Sequence, residues 1–234
     1  MEEDVSVDER TRSLIQKKLA RPELELSTDE SIEVLTGCID LGALELAGVQ
    51  KGAALAIFGN TGAGKSTLMN CLHGCKMESV RAKDLGLKGG GKVVRVAEGS
   101  QRNELFRIGH ANVSQTFIPG FAGSDALGDQ VTLVDCPGFF DNRGPEINVA
   151  NAVNIKQALS HFKEMRVVVL INYNSIKADR GRGVRDLIKI MRELFGDTER
   201  LLASMESVVV GVSRTPLKDD DDDFILCDDV LEQL

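Results

Sequence analysis

Apolar runs alternate with amphipathic segments through the middle of the chain. Short aliphatic runs bounded by turns are typical of buried parallel strands, and apolar residues at helical spacing predict helices between them. The predicted strands are ALAIFG at 54–59, VTLVD at 131–135, RVVVLI at 166–171 and SVVVGV at 207–212. Helices are predicted after the first strand, over about 146–162 and over about 184–195. This alternation predicts an α/β fold of three layers, in which helices flank a mainly parallel central sheet.

The N-terminal part of the chain has a weaker pattern. Residues 1–50 are predicted as a leader that is either partly ordered or carries a short docking helix. The apolar positions of that helix are Val7, Leu14, Ile15 and Leu19. Residues 32–52 mix apolar residues with glycines and predict one or two strands leading into the core.

The remaining segments complete the predicted domain, which spans residues 51–234. Residues 76–130 are irregular, with plausible strands at 92–96 (KVVRV) and 105–109 (LFRIG). After Asp223 no final strand and helix are evident, so we expect the fold to be incomplete at its C-terminal end.

A glycine-rich segment between the first strand and the following helix satisfies the pattern G-x-x-x-x-G-K-[ST] in full. Its residues are Gly59, Asn60, Thr61, Gly62, Ala63, Gly64, Lys65, Ser66 and Thr67. In such a loop the backbone N–H groups curl around a phosphate, the lysine reaches the β- and γ-phosphates and the serine hydroxyl binds Mg²⁺. A turn that only reverses the chain needs neither the lysine nor the serine. The sequence therefore predicts a nucleoside-triphosphate site at this loop.

A second motif, VTLVDCPG at 131–138, ends an apolar strand with a carboxylate. Triphosphate sites of this kind use a carboxylate at the end of a neighbouring strand to hold Mg²⁺. Asp135 is the predicted metal residue, together with Ser66. Gly138 is predicted to offer its backbone N–H to the γ-phosphate, because it has no side chain to block the approach.

The two motifs together, GNTGAGKSTLMN at 59–70 and VTLVDCPGFFD at 131–141, resemble those of the translation-factor-related GTPases. Within that class they are similar to the septin-like branch, which includes immunity-associated GTPases and chloroplast import receptors. The resemblance covers about residues 53–215 and is specific over the two motifs. It implies a G domain with GTP or GDP and Mg²⁺ as cofactors, and a nucleotide switch with two mobile loops.

The resemblance also implies a threonine in the first mobile loop whose hydroxyl completes Mg²⁺ coordination in the triphosphate state. Thr116, in the segment SQTFIP, is the candidate for this metal and catalytic role, with Ser114 and Thr132 as rivals. Lys65, Thr116 and Gly138 are thus the predicted catalytic set.

The base-reading segment departs from the family's pattern. Guanine is usually read by Asn/Thr-Lys-x-Asp after the next-to-last strand, and here that strand continues into SRTPLKD at 213–219. Ser213 and Arg214 occupy the first two positions, but Pro216 stands where the aspartate belongs. Asp219 is the candidate to read the base from a shifted loop.

Two alternatives to a slow GTPase stay open. An ATPase of the transporter or chromosome-maintenance kind shares the glycine-rich loop, but its signature Leu-Ser-Gly-Gly-Gln helix and its Asp-Glu pair are missing. A nucleotide-stabilised interaction module with negligible turnover is the other, because Phe139 stands where a glutamine would orient water. Arg143, Arg180 and Arg182 are candidates to supply charge in its place, in cis or across a nucleotide-dependent dimer; otherwise they are exposed or form structural ion pairs.

Composition narrows the partners. A net charge of −8 over 234 residues argues against nucleic acid, whose phosphates require an excess of Lys and Arg. No stretch approaches the roughly 20 apolar residues of a membrane span. The acidic start, MEEDVSVDER, is unlike a secretory signal, and the five cysteines are expected to be buried thiols in a reducing compartment. We therefore expect a cytoplasmic protein that binds protein partners besides its nucleotide.

Overall fold

The sheet and its helices are described from a computed structural model. The residues that it describes are 7–59, 62–87, 91–108, 118–137, 143–177, 181, 184–185, 188, 191–192, 199 and 205–216. The strands are β1 (Ala53–Phe58), β2 (Met77–Arg81), β3 (Lys92–Val96), β4 (Gly120–Ser124), β5 (Gly128–Asp135), β6 (Glu164–Asn172) and β7 (Val208–Ser213). The helices are α1 (Glu9–Ala20), α2 (Thr28–Ala47), α3 (Lys65–Leu72), α4 (Pro145–His161) and α5 (Tyr173–Lys177).

Five strands form one sheet in the order β4-β5-β1-β6-β7. Strand β1 pairs in parallel with β5 and β6, and β6 pairs in parallel with β7. Only β4 runs antiparallel, against β5. Strands β2 and β3 form a separate antiparallel ribbon. The predicted α/β fold with a mainly parallel sheet is confirmed at this level, and the four strands predicted for the sheet are all present.

Helices cover both faces of the sheet. Along β1, Ala56 and Phe58 belong to the apolar cluster that contains Ile155 of α4. Ile57 belongs to the cluster on the other face, which contains Met69 of α3. Alternate residues of a strand face opposite sides of the sheet. A strand that is apolar at every position therefore needs a covering layer on each face. The arrangement is compatible with the predicted three layers.

The prediction of strands within 32–52 was wrong, because most of this segment is helix α2. A capping box starts the helix: the Ser27 hydroxyl accepts from the Glu30 N–H, and the Glu30 carboxylate accepts from the Ser27 N–H at 2.9 Å. Gly37 and Gly42 lie within this helix. A side chain at Gly42 would collide with Asn154 of α4, whose amide donates to the Cys38 carbonyl at 2.9 Å. Gly42 therefore permits close packing of two helices.

Helix α1 joins this packing through a buried ion pair. The Lys18 ammonium lies 3.2 Å from the Glu146 carboxylate in the first turn of α4, and both side chains are less than a tenth exposed. The ammonium also donates to the carbonyls of Pro22 and Leu24 at 2.9 and 2.8 Å. The three helices share one apolar cluster of buried residues: Ile15, Val34, Cys38, Ile147 and Ala150.

Three smaller predictions were also wrong. Residues 105–108 are not a strand: the backbone groups of Leu105 and Phe106 bond to the side chain of Asn70, and the Ile108 N–H donates to the Glu104 carboxylate at 2.6 Å. The strand β7 is not buried along its length, since Val209 and Val210 are 62% and 50% exposed. Cys71, near the end of α3, is exposed and not buried as predicted.

Other expectations about individual segments were met. The helix at about 146–162 is α4, with Pro145 in its first turn. Of the helix predicted over 184–195, the described residues 184, 185, 188, 191 and 192 are helical. Cys38, Cys75 and Cys136 are buried, and burial raises the pKa of the Cys38 thiol to about 12. Among the described residues, no helix has the length and apolar character to cross a bilayer.

Replacing Lys18 with methionine is expected to lower the free energy of unfolding by about 3–5 kcal/mol, because it leaves the Glu146 carboxylate buried without its ammonium. Urea unfolding followed by circular dichroism measures the loss. In the double variant Lys18→Met/Glu146→Leu, most of the stability should return, since the charge is removed together with its partner.

The matched control is Arg10→Met. Arg10 pairs with Glu33 at 3.4 Å, but its side chain is 82% exposed. An exposed pair contributes at most about 1 kcal/mol. A loss at Lys18 no larger than the loss at Arg10 would contradict the structural role given to the buried pair.

Candidate functional site

The glycine-rich loop leaves β1 at the carboxyl edge of the sheet and enters α3. Gly59 lies so close to the Leu170 carbonyl of β6 that any side chain there would collide with it. Gly64 caps the start of α3 in a left-handed conformation, with φ of 89°. The loop is therefore pressed against the neighbouring strand, and its chain direction changes sharply at the first turn of the helix.

Lys65 lies under the loop. Its ammonium donates to the Gly59 carbonyl at 2.9 Å, and its side chain is buried. Burial lowers the pKa of Lys65, against a smaller raising effect of the negative charge of Asp135. A lysine enclosed at the carboxyl edge of a parallel sheet contributes little to an apolar core, which favours a binding role for it.

Ser66 and Asp135 meet across the two central strands. The Ser66 hydroxyl donates to Asp135 Oδ2 at 3.0 Å. Asp135 is the last residue of β5 and is 1% exposed. Parallel pairing sets Asp135 opposite Ile57 of β1, so the residues that come after both strands emerge side by side. The two residues that the sequence predicts to hold Mg²⁺ are thus in direct contact.

Ser213 also reaches the loop. Its hydroxyl donates to the Ala63 carbonyl at 2.7 Å, from the end of β7. Arg214 follows, exposed and in the left-handed region at φ of 58°. Ser213 was predicted to occupy the first position of the base-reading segment, and the structure places its hydroxyl on the phosphate loop. The polar ends of β1, β5 and β7 therefore lie at one edge of the sheet.

Asn70 belongs to this site, although it was not predicted from the sequence. It lies on α3 one turn after Ser66, fully buried, and donates to the Ser66 carbonyl at 2.9 Å. The sequence does carry a signal for it: asparagine is a poor residue for the inside of a helix, where it needs a polar partner to be retained.

Several predicted residues lie outside the described part of the chain. They are Asn60, Thr61, Ser114, Thr116, Gly138, Phe139, Arg180, Arg182 and Asp219. Their predicted roles stay predictions. Of the described loop residues, Gly62 has φ of 81°, Ala63 is buried and Thr67 lies in the first turn of α3.

Two further candidates have positions that argue against their predicted roles. Thr132 lies inside β5, three residues before Asp135 and roughly 10 Å away along the strand. Arg143 is buried, and its charge acts to lower the pKa of the Cys38 thiol, so it lies near α2. This location favours the alternative in which Arg143 is structural. Pro216 is exposed.

The chemistry of the Ser66–Asp135 pair fits Mg²⁺. Magnesium prefers oxygen ligands and is usually held by one or two protein groups together with substrate phosphates and water. A hydroxyl and a carboxylate in contact supply that set. No cluster of three or more His, Cys, Asp or Glu residues that could hold a metal ion occurs among the described residues. A metal held by this pair would take further ligands from phosphate oxygens and water.

Comparison with profiles of known protein families and with curated proteins returns no match to this chain.

Replacing Lys65 with methionine is expected to raise the free energy of unfolding of the nucleotide-free protein by about 1 kcal/mol at pH 7, because the buried ammonium is removed. The gain should shrink as pH rises through the lowered pKa of Lys65. Above that pKa the folded wild type holds a neutral amine while the unfolded chain still binds the proton, so wild-type stability increases with pH. Urea unfolding of both proteins across pH 7–10 measures the difference.

The control for this experiment is Lys51→Met. It removes an exposed lysine just before the start of β1, at the end of the strand away from the site. Its unfolding free energy should follow that of the wild type at every pH. A Lys65→Met protein that is less stable than wild type throughout would show that the ammonium stabilises the fold rather than serving the site.

Proposed function

We propose that this chain is a P-loop protein that binds GTP and GDP with Mg²⁺ and hydrolyses GTP slowly as a switch. The observation that supports it most is the 3.0 Å contact between the Ser66 hydroxyl and the Asp135 carboxylate. The two residues are 69 positions apart, and each was singled out from a different motif. An accidental glycine-rich turn has no reason to bring them together.

Four described residues of the site have a role in the proposal: Lys65, Ser66, Asp135 and Ser213. Lys65 gives up its bond to the Gly59 carbonyl and turns to the β- and γ-phosphates, which are stronger acceptors for a cation. The backbone N–H groups at the start of α3 face the phosphates, where the helix dipole favours negative charge. Ser66 and Asp135 hold Mg²⁺, which when bound neutralises charge on the phosphate oxygens. The bond of Ser213 to Ala63 keeps the loop curled.

Guanine is the proposed base. The support is the DCPGFFD segment at 135–141 and the resemblance it carries, together with the absence of an ATPase signature helix. The carboxylate of Asp219 is proposed to accept from the N1–H and the exocyclic amine of guanine. Adenine cannot supply those donors, and a buried carboxylate left unpaired costs a few kcal/mol.

Turnover is proposed to be slow, because Phe139 cannot orient water. A nucleotide-dependent dimer or a protein partner would supply the group that orients water. The proposed location is the cytoplasm. A nucleotide-stabilised module with no turnover is favoured by the same residue. Single-turnover hydrolysis followed over hours distinguishes the two, and a rate per protein that rises with protein concentration supports the dimer.

Replacing Lys65 with alanine is expected to weaken GTP binding by at least about 100-fold, roughly 3 kcal/mol, while the fold is retained. Ser66→Ala and Asp135→Asn should instead remove the dependence of binding on Mg²⁺. Titration calorimetry with a non-hydrolysable GTP analogue, with Mg²⁺ and with EDTA, measures both effects. Lys51→Ala is the matched control, and unchanged affinity in folded Lys65→Ala would refute the site.

Replacing Asp219 with alanine is expected to reduce a strong preference for GTP over ATP to tenfold or less, because no carboxylate would then read the base. Parallel titrations of the two analogues with Mg²⁺ measure the ratio. Asp222→Ala, in the same acidic run, is the matched control. A preference that survives in Asp219→Ala places the reader elsewhere, and a preference for ATP in the wild type overturns the GTPase proposal.

A further inference from the structure

The side chain of Asn70 uses all of its hydrogen-bonding capacity. Its amide nitrogen donates to the carbonyls of Ser66 and Phe106 at 2.9 and 2.6 Å. Its oxygen accepts from the N–H groups of Leu105 and Phe106 at 2.9 and 3.2 Å. An asparagine amide has two N–H donors and one oxygen with two lone pairs, so these four bonds satisfy it.

The two ends of this network are far apart in sequence. Ser66 lies in the first turn of α3, and Leu105–Phe106 follows the β2–β3 ribbon by about ten residues. Asn70 replaces, for residues 105 and 106, the strand partner that their backbone groups would otherwise need. Its side chain therefore acts as a clamp between the Ser66 turn of α3 and a segment without secondary structure.

Apolar contacts of Phe106 connect the clamped segment to the phosphate loop. Phe106 is buried in the cluster that contains Ala63 of the loop and Met69 of α3. Its ring also lies against Gly120 at the start of β4, where an added side-chain carbon would stand 3.2 Å from the ring. Phe106 thus packs against the phosphate loop and α3, while its backbone is held by Asn70.

We propose that Asn70 is a positioning residue for Ser66: it fixes the Leu105–Phe106 segment against α3 and thereby holds the Ser66 hydroxyl at Asp135. The inference rests on the proposed function, because Ser66 is given its metal role there. Lys65 is held separately, by the Gly59 carbonyl. Loss of the clamp therefore acts on the Mg²⁺-dependent part of nucleotide binding and spares the part due to Lys65 and the loop.

The test compares Asn70→Ala with wild type in titrations of a non-hydrolysable GTP analogue, with Mg²⁺ and with EDTA. The gain in affinity on adding Mg²⁺ is expected to fall at least tenfold, while the affinity in EDTA changes less than threefold. Cys71→Ala, at the exposed neighbouring position of α3, is the matched control and should match wild type. An unchanged Mg²⁺ gain, or equal losses with Mg²⁺ and with EDTA, overturns the proposal; equal losses would indicate a merely structural residue.

Hydrogen exchange tests the clamp without nucleotide. In the wild type the amides of Leu105 and Phe106 should exchange as slowly as those of α3, and in Asn70→Ala at least tenfold faster. Fast exchange of these two amides in the wild type overturns the clamp. If Asn70→Ala does not fold, Asn70→Ser replaces it with the same expectations, because a serine hydroxyl can bond to the carbonyl four residues earlier and support the helix.

The two experiments separate this inference from the proposed function. A wild type that binds neither the GTP analogue nor the ATP analogue refutes the proposed function. It also refutes the metal-positioning role of Asn70, whatever the exchange data show. A wild type that binds with a Mg²⁺ gain, together with an Asn70→Ala protein that keeps this gain, refutes only the role given to Asn70.

Discussion

Parallel pairing of β1 with β5 and β6 is the constraint on which the candidate site depends. Parallel strands end at the same edge of a sheet, so the loops leaving neighbouring strands emerge side by side. Pairing of Ile57 with Asp135 brings Ser66 within hydrogen-bonding distance of that carboxylate. Pairing of β1 with β6 presses Gly59 against the Leu170 carbonyl. The site is therefore a consequence of sheet register, and a shift of one residue would separate its members.

Several buried polar side chains lie at this edge, although each costs desolvation. Lys65, Asn70 and Asp135 are all less than a tenth exposed. Burial lowers the pKa of Lys65, which shows that its surroundings disfavour the charge it is proposed to use. Perturbed titratable groups beside buried polar groups are typical of functional sites. Lys18 and Glu146, in contrast, form a buried ion pair that joins α1 to α4.

The sequence predicted the elements whose formation depends on residues close together in the chain. It missed those that depend on contacts between residues distant in sequence. The strands of the sheet and α4 follow from local periodicity, and the two motifs predicted that Ser66 and Asp135 would share a site. Helix α2 was misread because Gly42 is required by contact with Asn154, more than 100 residues away. Residues 105–108 were misread because the backbone N–H groups of Leu105 and Phe106 bond to a side chain on α3, a contact that the periodicity of the sequence does not reveal.

Helix α4 packs both on the N-terminal helices and on the sheet whose edge carries the site, because its buried surface is divided between them. Its first half, including Ile147 and Ala150, packs in the cluster shared with α1 and α2, while Ile155 and Ala158 pack on the sheet. Glu146 ties the first turn to α1. That turn comes about ten residues after the carboxylate that ends β5. A displacement of the first turn would therefore have to carry α1 and α2 with it or separate a buried ion pair, which costs several kcal/mol. The N-terminal helices thus restrain the start of α4 more directly than the sheet does.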